Sequence, residues 1–321
     1  MFRRYDPIKH RTGMLVFLLA LTLLVMISVS PYFLQASTVP YLLQYIPILG
    51  LLGLGQTLIM LAGGPGIDLS VGSMLSLSAV LIGYLVGGLG LNVYVAALLG
   101  IAFGGLLGTV NGIVVNVLRI PSLMATLATL FVYGGLALAL TGGVPLTGFP
   151  ESFAWLGQGT TLGLPNQFLF VFVPVTVVLH VVLTQTRIGR HIYAAGNDEG
   201  AAHLLGVAVG RLRTYLYGLS GVLAGLGAVI NASWFLAARP DAGKGLDLLS
   251  VTIAVLGGTH IFGGLGGIPG TVVAIFIVPA LQVGLQLANI SAAWQLGVIG
   301  LLLIGSIAVN RVFAGRGARP A

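Results

Sequence analysis

Long apolar runs, separated by short polar turns, cover almost the whole chain. They fall at 14–34, 41–62, 70–89, 92–117, 122–141, 167–185, 214–236, 248–262, 269–288 and 294–310. A bilayer's hydrocarbon core is about 30 Å thick, and an α-helix needs about 20 apolar residues to cross it. The runs therefore predict an all-α, polytopic membrane bundle of about ten transmembrane helices. The run at 248–262 is short and ends in glycines, so a full crossing there stays open. The first run resembles a signal-peptide core. Bulky Pro31, Tyr32, Phe33 and Leu34 follow it in place of small cleavage-site residues, so it reads as an uncleaved first helix.

Charge adds an orientation. When ten helices are threaded through the runs, Arg3, Arg4, Lys9, Arg11, Arg119, Arg187, Arg190, Arg211, Arg213, Arg311, Arg316 and Arg319 fall on one side. Arg239 and Lys244 fall on the other. Cytoplasmic loops carry the Lys and Arg excess, which predicts a multi-pass membrane protein with both termini cytoplasmic. The whole of 1–321 reads as one transmembrane domain. It has a cytoplasmic N-terminal segment at 1–13, a central cytoplasmic loop at 186–213 and a cytoplasmic tail at 311–321.

Composition excludes several classes. With 57% hydrophobic and 7% charged residues, no soluble domain of this length would keep its surface in water. The net charge of +7 sits in juxtamembrane loops and forms no stripe, which favours contact with anionic lipid over nucleic acid. The absence of cysteine excludes disulfides, a thiol nucleophile and cysteine metal sites. Gly100, Gly104, Gly108 and Gly112 recur along one face of the fourth run, and Gly221 and Gly225 along the seventh. In lipid, small residues let helices approach closely, so these faces predict tight packing, with a subunit interface as the other reading.

Two breaks interrupt the apolar pattern. Residues 63–73 read GGPGIDLSVGS, and 257–270 read GGTHIFGGLGGIPG. Broken backbone at membrane depth is tolerated only where protein or a watery cavity satisfies it, and paired breaks point to a translocation path. Candidates for that path are Gly66, Asp68 and Ser70 in the first break and Gly257, Gly258 and Thr259 in the second. Asn231, Trp234, Gln282, Gln286 and Trp294 join them as further polar or aromatic candidates for the path. Asp68 reads as the one acidic residue near the membrane interior, although it and Ser70 also stand where either caps a helix. No second His, Asp or Glu lies near His260 at metal spacing, so no metal site is expected.

In the central loop, GRHIYAAGNDEGAAHLLGV at 189–207 predicts a short helix. Asn197 or Asp198 caps it, Glu199 suits its first turn, and Gly206 ends it. Ala201, Ala202, Leu204 and Leu205 form its apolar face. Docking on a partner and lying passively on the membrane surface fit this pattern equally. The chain carries no phosphate loop, no G-x-S-x-G and no H-E-x-x-H.

GIDLSVGS at 66–73, RIPSLMATL at 119–127, the loop motif at 189–207 and AVLGGTHIFGGLGGIPGT at 254–271 carry a resemblance. In this order, over nearly the whole chain, they resemble permease subunits of bacterial ATP-driven importers of the ribose and monosaccharide type, relatives of the branched-chain amino acid permeases. The resemblance implies the ten-helix fold of the vitamin B12-type importer, placed in a bacterial inner membrane. It implies a partner ATPase with two nucleotide-binding domains, which would hold ATP and magnesium, so that this chain needs no cofactor. It also implies a periplasmic sugar-binding protein and a second permease subunit, identical or a paralogue. Gly196, Asn197, Asp198, Glu199, Leu204, Leu205 and Gly206 match the family's ATPase-coupling segment, which favours docking over passive lying. Pro65 is inserted before the Gly-Ile-Asp motif, and His260 and Ile261 stand where Ser-Leu is more usual. A stand-alone secondary transporter predicts several carboxylates in the spans, and a membrane-embedded enzyme predicts clustered His, Asp or Glu. The sequence has neither.

Overall fold

The computed structural model describes residues 7–35, 38–291, 294–295, 297–302 and 304–305. Arg3, Arg4, Arg311, Arg316, Arg319 and the end of the run at 294–310 lie outside them. The described chain is mostly helical. Its helices are α1 (Pro7–Val29), α2 (Thr38–Leu61), α3 (Val71–Gly83), α4 (Val93–Asn116), α5 (Ser122–Thr141) and the single turn α6 (Ala154–Gly157). They continue as α7 (Val173–Gln185), α8 (Arg187–Asn197), α9 (Glu199–Leu204), α10 (Val209–Phe235), α11 (Leu246–Leu256) and α12 (Ile268–Leu287). A π-helical turn at Tyr84–Gly88 extends α3, and another at Phe168–Phe172 leads into α7.

Ten crossing helices are expected from the sequence, and among the described residues seven are long and apolar enough to cross. The difference lies mainly in α1 and α11. The apolar part of α1 is limited to Gly13–Val29. The eleven residues of α11 span about 16 Å, half a hydrocarbon core. Gly257 caps it and Gly258 turns the chain away at φ 87°. The loop at 142–166 adds a two-stranded hairpin, β1 (Thr160–Thr161) with β2 (Leu164–Pro165), to an otherwise helical fold.

α2 and α10 form the buried centre, and α5 and α7 expose most of their surface, as lipid-facing helices do. α4 crosses α10 through the predicted glycine face. A methyl group at Gly221 would lie 3.0 Å from the Cα of Gly108, and one at Gly225 would lie 2.7 Å from the Cα of Ile101. One at Gly112 would lie 2.8 Å from the Cα of Thr214. Backbone thus packs directly on backbone, as small residues permit in lipid. Gly104, Gly108, Gly112, Gly221 and Gly225 hold two helices of one chain together.

Two ends of the bundle are chemically distinct. At one, the residues after α2 meet α8 and the start of α10, and α9 joins them through the Glu199–Arg213 pair. At the other, the 142–166 loop covers α2 and α10. The Gly157 N–H donates to Ser233 Oγ at 2.8 Å, and Gln158 Nε2 donates to the Trp234 carbonyl at 2.8 Å. Leu146 and Ala238 exchange backbone hydrogen bonds there. Gln44 Nε2 donates to the Gly157 carbonyl at 2.9 Å, which ties the loop to α2 as well.

Candidate functional site

Near the loop-covered end lies a cavity of about 480 Å³. α2 contributes Tyr45, α10 contributes Asn231 and Trp234, and α12 contributes Gln282. The chain entering α11 adds Arg239, Asp241 and Lys244. The Trp234 ring meets Tyr45 edge-on at 5.4 Å and stacks on Phe235 at 5.2 Å. Arg239 pairs with Asp241 at 3.2 Å and lies 5.3 Å over the Phe235 ring. Amide groups beside an aromatic platform offer hydrogen bonds and an apolar face together. Small polar solutes need both. Among the described residues, the buried Asn231 Oδ1 has no hydrogen-bond partner.

Asn231, Trp234 and Gln282 thus come together, although α11 and more than forty residues lie between the first two and the third. Gln286 is exposed on α12 and lies outside the lining. Arg239 and Lys244, read from the sequence only as outward loop charges, turn out to edge this cavity.

Gly66, Asp68 and Ser70 occupy a different place, a packed polar network among α2, α4 and α5. Asp68 is fully buried, and its Oδ1 accepts from the Ser70 N–H at 2.8 Å and Ser70 Oγ at 2.7 Å. Its own N–H donates to Gln56 Oε1 at 3.2 Å. Asn111 Nδ2 donates to Ser70 Oγ at 2.6 Å, and the Tyr133 hydroxyl donates to Asn111 Oδ1 at 3.2 Å. The Ser122 hydroxyl donates to the Pro65 carbonyl. Each buried polar group here lowers the cost of burying its neighbour. Asp68→Asn keeps the acceptor for Ser70, and we expect a folded permease that transports as wild type does. Asp68→Ala strands the Ser70 N–H, and we expect about 3 kcal/mol of lost stability. Thermal unfolding in detergent and uptake in vesicles measure the two effects. Transport lost in a fully stable Asp68→Asn protein would place the carboxylate in the path.

Nor is Asp68 the sole buried acid. Asp247, in the first turn of α11, is also buried, and its Oδ1 accepts from the Gly72 N–H at 2.7 Å. The sequence reading missed it. The signal was a carboxylate opening an apolar run, Leu246-Asp247-Leu248-Leu249.

Gly257, Gly258 and Thr259 lie at the opposite end, where both breaks meet the central loop. A methyl at Gly63 would lie 3.0 Å from the Cα of Gly196, and one at Gly263 would lie 2.6 Å from the Cα of Gly63. The Gly264 N–H donates to the Leu61 carbonyl at 3.1 Å, and the Tyr193 hydroxyl donates to the Gly266 carbonyl at 2.9 Å. Gly63 and Gly263 have φ of 74° and 101°, where a side chain is strained, so both the turn and the approach require glycine. Asn197 ends α8, and Asp198 caps α9 by accepting from the Ala201 N–H at 3.0 Å. Glu199 pairs with Arg213 at 2.9 Å, and Arg213 Nε donates to the Ala62 carbonyl at 3.1 Å. Gly206, at φ 81°, turns the chain beyond α9. Ala202 packs inward against Ala195, Val207 and Val209. Leu204 and Leu205 point away, 91% and 78% exposed.

A comparison with known proteins fits this arrangement. Residues 38–307 match the family described as branched-chain amino acid transport system / permease component. The ribose import permease protein RbsC of Bacillus subtilis (strain 168) is 35% identical over 310 residues, covering 96% of this chain and 94% of that protein. The autoinducer 2 import system permease protein LsrD of Enterobacter sp. (strain 638) is 34% identical, covering 90% and 89%. The D-allose transport system permease protein AlsC of Escherichia coli (strain K12) is 31% identical, covering 93% and 91%. No solved structure matches. The chain belongs to the branched-chain amino acid transport system / permease component family.

Proposed function

We propose that this chain is the membrane permease subunit of an ATP-driven importer for a sugar or sugar-like solute. The observation that carries this reading is α9. Two leucines at 91% and 78% exposure, on a capped helix that follows directly from α8, whose Tyr193 and Gly196 meet the two membrane breaks, suit a partner that covers them. That partner is an ATPase with two nucleotide-binding domains, which binds ATP and magnesium in place of this chain. The cavity of Asn231, Trp234 and Gln282 is the solute path, supplied by a periplasmic binding protein and completed by a second permease subunit. The relatives' names support a ribose-like solute. The family supports a ten-helix arrangement of the vitamin B12-importer type, whose expected last run at 294–310 lies in part outside the described residues. The basic end, with Arg119 and Arg213, then faces the cytoplasm with both termini, and Arg239 and Lys244 face outward.

The test is reconstitution in vesicles with the partner ATPase, using binding protein loaded with D-ribose or D-allose. Uptake is expected to need ATP on the Arg119 and Arg213 side and loaded binding protein on the Arg239 and Lys244 side. An impermeant thiol reagent on Asn197→Cys reports which side is which. Uptake driven by an ion gradient without the ATPase would overturn the importer reading.

A further inference from the structure

The exposed end at α9 and the cavity lie at opposite ends of the bundle, yet one stretch of chain touches the structures that serve both. Residues 62–72 begin under α8 and α9, where Arg213 holds the Ala62 carbonyl and Gly63 packs on Gly196 and Gly263. They end at the start of α3. There the Gly72 N–H donates to Asp247, and the Gly243 N–H donates to Ser76 Oγ at 2.9 Å. A methyl at Gly243 would lie 2.6 Å from the Cα of Gly72. The loop at 239–246 therefore has no room to slide over α3. That loop carries Arg239, Asp241 and Lys244 on the cavity wall. Asp247 itself is not part of that wall. Its carboxylate serves two helix N-termini, the one it caps on α3 and its own on α11, and negative charge suits both.

We propose that Asp247 is a positioning residue that clamps the cavity wall to the segment moved by α8 and α9. Resting on the importer reading above, the clamp makes 62–72 and 239–246 move as one unit. Between its ends, the segment is braced by Asp68, Ser70, Gln56, Asn111 and Ser122, so displacement at Gly63 reaches Gly72 with little loss in slack. Closely packed elements transmit displacement because they cannot deform continuously.

The experiment compares Asp247→Ala and Asp247→Asn in the reconstituted complex of permease, ATPase and D-ribose- or D-allose-loaded binding protein. Asp247→Ala is expected to leave basal ATP hydrolysis unchanged and to lower stimulation by loaded binding protein about ten-fold, with uptake falling in step. Asp247→Asn keeps an acceptor for Gly72 and is expected to restore most of both. Full stimulation in Asp247→Ala overturns the clamp, as does an Asn variant no better than Ala. If Asp247→Ala does not assemble, Ser76→Ala releases only the Gly243 N–H and is expected to lower stimulation in the same sense. An unaltered Ser76→Ala ratio then counts against the proposal. Hydrogen exchange on the purified permease reads the clamp without transport: Asp247→Ala is expected to speed exchange at 66–76 and 240–247 together. Exchange confined to one of these stretches overturns it. Wild-type protein that shows no stimulation overturns the importer reading, while the exchange arm still decides the clamp.

Discussion

Leu204→Asp is expected to abolish stimulated ATP hydrolysis and to lower uptake about 100-fold or more, while the permease itself remains folded. Leu204 is 91% exposed, so a carboxylate there stays hydrated in the isolated chain. Docking changes the balance. Burying a leucine contributes about 1.5–3 kcal/mol, which the variant loses. An ionised carboxylate drawn into an apolar groove adds a desolvation cost of several kcal/mol unless the partner supplies a counter-charge. Together these exceed the roughly 2.8 kcal/mol that separates two affinities 100-fold apart. Gly200→Trp supplies a steric counterpart. Among the described residues a methyl at Gly200 meets only Asp198 Oδ1 at 3.3 Å, a side-chain atom that has to give by a few tenths of an ångström, so most of the added bulk falls on the partner. The measurements are a pull-down of the ATPase and stimulated hydrolysis in vesicles. Full assembly and stimulation in both variants would sink α9 as the coupling element.

The second large effect is on the fold. Gly221→Val is expected to destabilise the permease by about 3 kcal/mol or more. Its Cβ would enter the space of the Gly104 and Gly108 backbone, which has no rotamer to change. α4 and α10 would have to separate, and the layers at Gly112 and Gly225 would open with them. The expected readout is a lower melting temperature in detergent and less folded protein from membranes. By contrast, Gly210→Val in the same helix faces open space and is expected to fold as wild type. Equal stability of the two variants would show that the crossing is not built on glycine.

Some of this site was legible in the sequence because its physics is local. A cap needs only a short polar side chain followed by free N–H groups, so the α9 turn could be read directly, with Asn197 or Asp198 as its cap; the structure selects Asp198. The same holds for the glycines of α4 and α10, because a fixed spacing on a helix defines a face. The outward turn of Leu204 and Leu205 was not legible. Ala201, Ala202, Leu204 and Leu205 form one apolar set in sequence, and only packing of Ala202 against Ala195 and Val209 decides which members turn in. Asp68 drew attention as a carboxylate between apolar runs. Its partner residues, Gln56, Asn111 and Tyr133, sit singly in ordinary helices and gave no such signal.

The sequence by itself determined the membrane class, the positions of the apolar runs, the orienting charge asymmetry, the family and the two glycine-rich breaks. Tertiary structure alone decided that α11 is only eleven residues long, that both breaks meet Gly196, and that Arg239 and Lys244 edge a cavity with Trp234. It also decided that Asp247 reaches Gly72 across 175 residues. Hydropathy and capping are properties of neighbouring residues, so a linear pattern records them. Contacts between bare backbones leave no such record: glycine has no side chain to carry a pattern, and the partner at each close approach is set by how distant helices pack.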